Sequence, residues 1–258
     1  VILSCNPGGR KSQGNSDEGK PLSQLKQLKR EVVSFPDSID LRAQLIYALR
    51  EEGETELALK QLDTLLLKDS TGGGNYAFQA ELYLDLKDSA SATRSFEKAV
   101  QLSPDPDYLY SLAYLYAAAG DKRSLVLCDG MIAKMTKQNL TGDPYYIKSI
   151  YYRKTGDHQK ALSLLNQCIR VDHTLREAYI EKGNILYEQK KYQDALEVFR
   201  LASTVSNAFA DAYYWQAKCF AALGDKPNAV ANYKKAIGLD NNFADAKEEL
   251  NDLENKQP

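Results

Sequence analysis

The sequence predicts an all-α solenoid of stacked helix–turn–helix units. The main observation is a 34-residue period, in which Gly183 and Phe199 recur as Ala217 and Tyr233. A second observation is that glycine recurs where the first helix of a unit must end, at Gly53, Gly120, Gly156 and Gly224. A fixed period of 20–50 residues indicates repeated supersecondary units, each of which buries its apolar side against its neighbours.

Residues 1–20 are predicted to lie outside the repeats. Residues 6–20 have no large apolar side chain and are rich in Gly, Ser and Asn, so a flexible tether is expected. Before them, an apolar stretch with Ser4 directly precedes Cys5. This order resembles the end of a bacterial lipoprotein signal peptide, in which the cysteine carries the lipid. The alternative is a fragment that begins inside a buried segment.

Residues 21–35 are predicted to form a helix that caps the first unit. Pro21 suits the first helical turn, and the apolar residues follow at helical spacing: Leu22, Leu25, Leu28 and Val32. Residues 243–256 are expected to form a mostly charged capping helix at the other end, docked through Leu250 and Leu253.

Six units fill residues 39–242, with starts near Ile39, Gly73, Pro106, Gly142, Arg176 and Ala210. The second unit shows the fullest pattern: Tyr76, Ala80, Tyr83, Ala92, Phe96, Ala99 and Pro104. This pattern resembles the tetratricopeptide repeat family, in which small residues allow close helix approach and bulky ones fill the space between helices. The resemblance implies a right-handed α–α superhelix.

The third unit departs from this pattern. Leu125 stands where alanine is expected, and Asp129 and Gly130 stand where an aromatic ring should pack. The next unit begins 36 residues later rather than 34, so a longer loop or an irregular helix end is expected between Met131 and Asp143.

Composition argues against several kinds of function. The formal charge of −2 gives no overall attraction to nucleic acid, and no apolar run approaches the roughly 20 residues of a membrane span. No phosphate-binding loop, nucleophile motif or metal-spaced ligand set is present, so no catalytic residue, metal or cofactor is expected. The cysteines at helical positions are predicted to be small packing residues: Cys128, Cys168 and Cys219.

The family resemblance implies a concave groove lined by the first helix of each unit, where partner peptides bind. Mapped onto this sequence, the groove residues are Tyr47, Tyr110, Tyr114, Tyr146, Ile150, Arg153, Lys154, Ile180, Asn184, Tyr187, Tyr214 and Lys218. Tyrosines beside basic groups suit an extended or helical segment of a partner. The alternative is that the tyrosines fill half-exposed contacts between repeats.

One subclass of the family grips chaperone C-termini with a Lys/Asn clamp for a carboxylate. Asn184 and Lys218 partly match that clamp. The other clamp positions hold different residue types, namely Ile180, Glu181, Tyr214 and Trp215. A receptor for chaperone tails is therefore not expected.

The sequence thus predicts a non-enzymatic scaffold that binds a partner protein or peptide. The resemblance to Bacteroidota-like tetratricopeptide lipoproteins implies a bacterial cell-envelope location, facing the periplasm, with Cys5 as the lipid anchor and as the only link to the membrane. The competing interpretation is a soluble cytoplasmic adaptor or chaperone cofactor.

Overall fold

The computed structural model describes residues 24–68, 70–136 and 141–255. These residues form fourteen helices and no strand, which confirms the predicted all-α fold. In chain order the helices are α1 Gln24–Ser34, α2 Ile39–Glu51, α3 Thr55–Lys68, α4 Gly73–Asp85, α5 Ser89–Leu102, α6 Pro106–Ala119, α7 Arg123–Ala133, α8 Asp143–Lys154, α9 His158–Val171, α10 Arg176–Glu188, α11 Tyr192–Val205, α12 Ala210–Ala222, α13 Lys226–Leu239 and α14 Ala244–Asn255.

The chain divides into two compact units, one up to Leu115 and one from Tyr116 onwards. In the first unit, each helix from α1 to α5 packs against the next along the chain. In the second unit the same holds from α7 to α14. The even-numbered helices from α2 to α12 are therefore the first helices of the six repeats.

Each unit has its own apolar core. The first core joins α1 to the first repeat and includes Leu28, Ile46 and Leu62. The second unit holds several adjoining clusters, and the largest fully buried side chains there include Phe199 and Tyr233. The predicted packing cysteines are buried in the second unit as well: Cys128, Cys168 and Cys219.

The alternation of small and bulky residues has a direct steric cause. Gly183 on α10 lies against the ring of Phe199 on α11, and a β-carbon at Gly183 would come within 2.3 Å of that ring. Real β-carbons do not approach so closely, so a side chain at this position would force the ring of Phe199 to shift. The two helices of the repeat can approach only because this position has no side chain.

The turn between the two helices of each repeat contains one residue in the left-handed backbone conformation. Glycine occupies it in four repeats, as predicted, with φ of 78° at Gly53, 72° at Gly120, 89° at Gly156 and 81° at Gly224. The second and fifth repeats place a lysine there, with φ of 61° at both Lys87 and Lys190. A side chain is disfavoured in this conformation because its β-carbon crowds the following carbonyl oxygen.

The third repeat departs from the others by a change of register. Its buried small residue is Ser124 and its buried packing residue is Cys128, both fully inaccessible to solvent. The expectation that Leu125 and Asp129 occupy these positions is wrong, since Leu125 is only half-buried and Asp129 is exposed. The buried small residue follows the left-handed turn residue by four positions in this repeat, from Gly120 to Ser124, and by five in the fifth repeat, from Lys190 to Ala195, so the buried positions of α7 lie one residue earlier.

Some predictions fall on residues 1–23, 69, 137–140 and 256–258, which lie outside the described residues. They include the tether, the lipidation of Cys5 and part of the expected longer loop before α8. Among the helices of the described residues, none combines the length and the apolar character needed to cross a membrane.

Candidate functional site

In the first unit, the first helices of neighbouring repeats present an aromatic pair. Tyr47 on α2 is 58% exposed, and its ring stacks on that of Phe78 on α4 with 4.8 Å between centroids. The guanidinium of Arg50 lies 5.4 Å from the centroid of Phe78. These side chains form an accessible aromatic surface of the kind that contributes strongly to protein interfaces.

Arg50 also joins α2 to α4 through charge. It donates to Glu81 and to Asp85, each at 2.7 Å. Although burial opposes its charge, the hydrogen bonds to Asp85 and Glu81 raise the pKa of Arg50. Its positive charge is therefore already paired within the chain.

The third repeat contributes two predicted groove tyrosines from α6. Tyr110 and Tyr114 lie one helical turn apart, which places them on the same side of the helix. Tyr114 is 43% exposed. Tyr110 is half-buried, and its hydroxyl oxygen is inaccessible and has no hydrogen-bond partner among the described residues.

In the second unit, Arg153 on α8 is the counterpart of Arg50. It donates to both carboxylate oxygens of Glu181 on α10 at 2.9 Å and to Glu188 at 2.5 Å. Glu181 is only 8% exposed, and this arginine provides the compensation that a buried carboxylate needs. The charge of Arg153, which was predicted to face the groove, is therefore already paired with carboxylates of the neighbouring repeat.

Lys218 on α12 is held in the same way. It donates to Glu249 on α14 at 2.8 Å, and its ammonium group lies 5.5 Å from the ring centroid of Tyr214. Burial opposes the charge, but the hydrogen bond to Glu249 and the neighbouring Tyr214 leave the pKa of Lys218 above its ordinary value. Tyr214 is only 9% exposed, so its ring packs under Lys218 and offers little surface to a partner.

A pocket of about 220 Å³ opens where α8, α10 and α12 adjoin. We name it the acidic–aromatic pocket; its lining residues are Tyr146, Glu177, Ile180, Glu181, Phe209 and Asp211. Half of these side chains are carboxylates and half are apolar or aromatic. Glu177 and Asp211 are exposed at its rim, whereas Glu181 is buried.

Carboxylates crowd this region. Burial, with a further contribution from Asp172 and Glu177, raises the pKa of Asp143 to about 6. The pKa of Asp211 is also raised, first by the loss of solvation and then by Asp240 and Glu177, although Arg176 acts in the opposite direction. Such shifts mean that negative charge here is stabilised less well than in water.

The remaining predicted groove residues differ in accessibility. Ile150 on α8 is half-buried and Lys154 is exposed. Tyr187 on α10 packs edge-on against Trp215, with 5.7 Å between ring centroids. Asn184, also on α10, has a side-chain oxygen that is inaccessible and has no hydrogen-bond partner among the described residues.

The sequence reasoning missed the carboxylates of this surface. The repeat period contained a signal for them. The first turns of α8, α10, α12 and α14 each carry one acidic residue, and successive ones are 34 residues apart: Asp143, Glu177, Asp211 and Asp245. The ion pairs between helices show a second regularity. Arg50 lies 31 residues before its partner Glu81, and Lys218 lies 31 residues before its partner Glu249. Charges at repeat spacing indicate contacts between neighbouring first helices.

Comparison with known proteins agrees with this geometry. Residues 148–208 match a family model described as "Tetratricopeptide repeat", and residues 74–106 and 210–243 match a second model with the same description. The chain contains tetratricopeptide repeats. Tetratricopeptide repeats generally act as protein-interaction scaffolds rather than enzymes, and the described residues hold no group of three or more metal-ligating side chains placed to bind a metal.

One similar curated protein is Hsp70-Hsp90 organizing protein 3 from Arabidopsis thaliana. It is 25% identical over 262 residues, an alignment that covers 94% of this chain and 46% of the relative. The chain spans less than half the length of the curated relatives that it matches.

Solved tetratricopeptide structures share the fold at low identity. A tetratricopeptide repeat protein from Parabacteroides merdae is 19% identical, with a TM-score of 0.71 over 90% of this chain and 91% of its own. PilW, described as a type IV pilus biogenesis factor, is 17% identical, with a TM-score of 0.62 over 82% of this chain and 97% of its own. These similarities establish the fold class.

Proposed function

We propose that this protein is a non-enzymatic scaffold that binds a segment of a partner protein along its first helices. The observation that carries the proposal is the acidic–aromatic pocket, which is open to solvent and lined by side chains of three successive repeats. A pocket shared by three repeats suits a segment that crosses them, because each helix supplies part of the contact surface.

The proposal is tested by selection from a randomised library of displayed dodecapeptides on the purified chain. We expect selected peptides to bind in fluorescence anisotropy and to compete with one another for one surface. Tyr146→Ala should weaken that binding about tenfold, because it removes an aromatic wall of the pocket.

The matched control is Leu201→Ala, which removes an exposed apolar side chain from the second helix α11. It should leave peptide affinity within twofold of the original value. Circular dichroism of both variants checks that the helices persist. If no peptide is selected, or if Tyr146→Ala binds as tightly as the original chain, the proposed binding surface is wrong.

We further propose that the scaffold is attached to the periplasmic side of a bacterial membrane through a lipid on Cys5. The support is the apolar stub before Cys5 and the Gly- and Ser-containing stretch after it. Expression of the full-length gene with Cys5→Ala should move the protein from the membrane fraction to the soluble fraction. A variant that stays with the membrane contradicts the anchor.

The second candidate function is a cytoplasmic adaptor for chaperones, which the names of the curated relatives favour. The arrangement of Lys218 speaks against the tail-clamping form of this function, because Glu249 already occupies its ammonium group. An acidic peptide with a free C-terminal carboxylate separates the two candidates. If the protein is a chaperone adaptor, this peptide should bind and Lys218→Ala should weaken its binding. Our first proposal requires neither result.

A further inference from the structure

The charges around the acidic–aromatic pocket are unevenly matched. Arg153 forms ion pairs with Glu181 and Glu188, and its positive charge therefore balances that of Glu181, the buried acid of the pocket. The rim acids Glu177 and Asp211 make no ion pair within the described residues. Excess negative charge thus remains where the pocket opens to solvent.

Arg176 is a further cation beside the pocket, and it forms no ion pair with the rim acids. Its guanidinium lies over the ring of Phe209, 4.8 Å from the centroid, and it acts on Asp211 only through longer-range attraction. Its attraction is resolved at Asp211 and not at Asp143, where the neighbouring charges are the acids Asp172 and Glu177. The pKa of Asp143 is raised to about 6 mainly by burial, and the negative charges of Asp172 and Glu177 raise it further.

A second observation concerns an unused hydrogen-bond acceptor. Asn184 lies one helical turn beyond Ile180 on the same side of α10, and its Oδ1 is inaccessible to solvent without a donor among the described residues. A buried acceptor without a donor is unfavourable. Asn184 is not one of the residues that line the pocket, so a ligand there would satisfy this acceptor only if the side chain turned towards the pocket. Ammonium and guanidinium groups carry donors only.

The apolar half of the pocket fits the other part of such a ligand. Lysine and arginine bury an aliphatic stem while the charged head stays near water or a counter-ion. Ile180 offers an apolar surface for that stem, and the ring of Tyr146 is a surface of the kind that attracts a cation, whereas the ring of Phe209 already carries the guanidinium of Arg176. The carboxylates at the rim would then receive the charged head.

We propose that the acidic–aromatic pocket receives a lysine or arginine side chain, so that the partner segment is basic. This inference rests on the proposed function, in which a segment of a partner crosses the first helices. It also reverses the charge preference suggested by the cations predicted from sequence. Arg153 pairs with the next repeat and Lys218 with the capping helix α14, so the exposed carboxylates remain to meet the partner.

Helix stabilisation is the competing explanation for the rim acids. Glu177 and Asp211 lie in the first turns of α10 and α12, where a carboxylate interacts favourably with the positive end of the helix dipole. Neither helix has a side-chain N-cap, so an acid in the first turn would stabilise a helix start that lacks one. The two explanations differ in what they predict for binding, because helix stabilisation requires no basic ligand.

The experiment extends the dodecapeptide selection described above. We expect the selected peptides to contain more lysine and arginine than the starting library. The most enriched peptide is then compared with a copy in which citrulline replaces arginine, or acetyl-lysine replaces lysine. These changes keep the shape and remove the charge, and we expect them to weaken binding about tenfold. Binding should also weaken as salt is raised.

Protein variants test the same charge interaction by removing the negative charges of the pocket rim. The double variant E177Q/D211N should bind the charged peptide about tenfold more weakly and discriminate little against its neutral copy. The control D194N/E197Q removes the same net charge from exposed positions on the second helix α11. It should keep both affinities within twofold of the original.

The outcomes separate the inference from the function on which it rests. If peptides are selected without an excess of basic residues, the inference is wrong and the proposed function stands. If E177Q/D211N lowers the melting temperature but leaves the charged peptide's affinity unchanged, the rim acids serve only their helices and the inference is wrong. If no peptide is selected, the proposed function fails and takes the inference with it.

Discussion

The second helices of the third and fifth repeats, α7 and α11, fill equivalent places with very different side chains. On α11 a fully buried alanine, Ala195, is followed four residues later by the buried ring of Phe199. On α7 the corresponding pair is Ser124 and Cys128, also fully buried. The spacing between a small and a packing residue is thus preserved although the residue types are not.

The ends of the two helices differ as well. α7 contains 11 residues and α11 contains 14. Neither of the two helices has a side-chain N-cap, whereas Asp157 and Asp225 accept a hydrogen bond from the backbone of α9 and α13. The comparison indicates that the repeat tolerates a smaller packing residue and a shorter second helix when the four-residue spacing of the buried pair is kept.

The largest expected difference between the two helices lies in their buried packing residues. Phe199→Ala should lower the free energy of unfolding by roughly 3–5 kcal/mol, because it removes a fully buried ring and leaves a cavity. Cys128→Ala should cost about 1 kcal/mol, since it deletes a single sulfur atom. Urea unfolding followed by circular dichroism measures both.

Equal losses from the two substitutions would contradict this account of the third repeat. Hydrogen exchange provides an independent check, because the loss from Phe199→Ala should appear first as faster exchange in α10 and α11, which pack directly against each other. Exchange that accelerates to the same extent in every helix would mean that the repeats do not respond locally.

The steric fit between α10 and α11 gives the next largest effect. Gly183→Ala should destabilise the protein by about 1–3 kcal/mol, because the new β-carbon would overlap the ring of Phe199. At the equivalent position of the third repeat, Ala113 is already tolerated and fully buried. The measurement is the shift of the melting temperature.

A double substitution tests whether the ring is the cause. Phe199→Leu shortens the side chain that meets Gly183, so the cost of Gly183→Ala should fall when both changes are combined. Strictly additive costs would show that the lost stability has another origin, such as the helix backbone around Gly183.

The sequence was sufficient to predict the repeats because their small and bulky residues recur at a fixed period. It failed for α7 because the spacing of the other repeats, with the small residue five positions after the left-handed turn residue, assigns Leu125 and Asp129 to buried positions, whereas the spacing here is four. Burial resolves this ambiguity, since Ser124 and Cys128 are the inaccessible pair.

The candidate site was predicted less completely, for a different physical reason. Charged residues on first helices were treated singly, whereas the structure pairs cations with acids 28 to 35 residues away, as in Arg153 with Glu181 and Glu188. Whether a cation is available to a partner depends on such contacts. A pattern within one helix does not contain that information.

The smallest expected effect concerns the turns, where the third and fifth repeats also differ. The left-handed position is Gly120 in one and Lys190 in the other, with φ of 72° and 61°. Lys190→Gly relieves the crowding of the β-carbon but also gives the unfolded chain more freedom, so the expected net gain is about 0.5 kcal/mol.

The reverse change should act in the opposite direction. Gly224→Ala, at the same turn of the sixth repeat, has open space around a new β-carbon, so its cost comes from the backbone conformation alone, about 1 kcal/mol. Scanning calorimetry should show a higher melting temperature for Lys190→Gly and a lower one for Gly224→Ala. A lower melting temperature for Lys190→Gly would mean that contacts of the lysine side chain outweigh the strain, and that the fifth repeat is adapted to lysine at this turn.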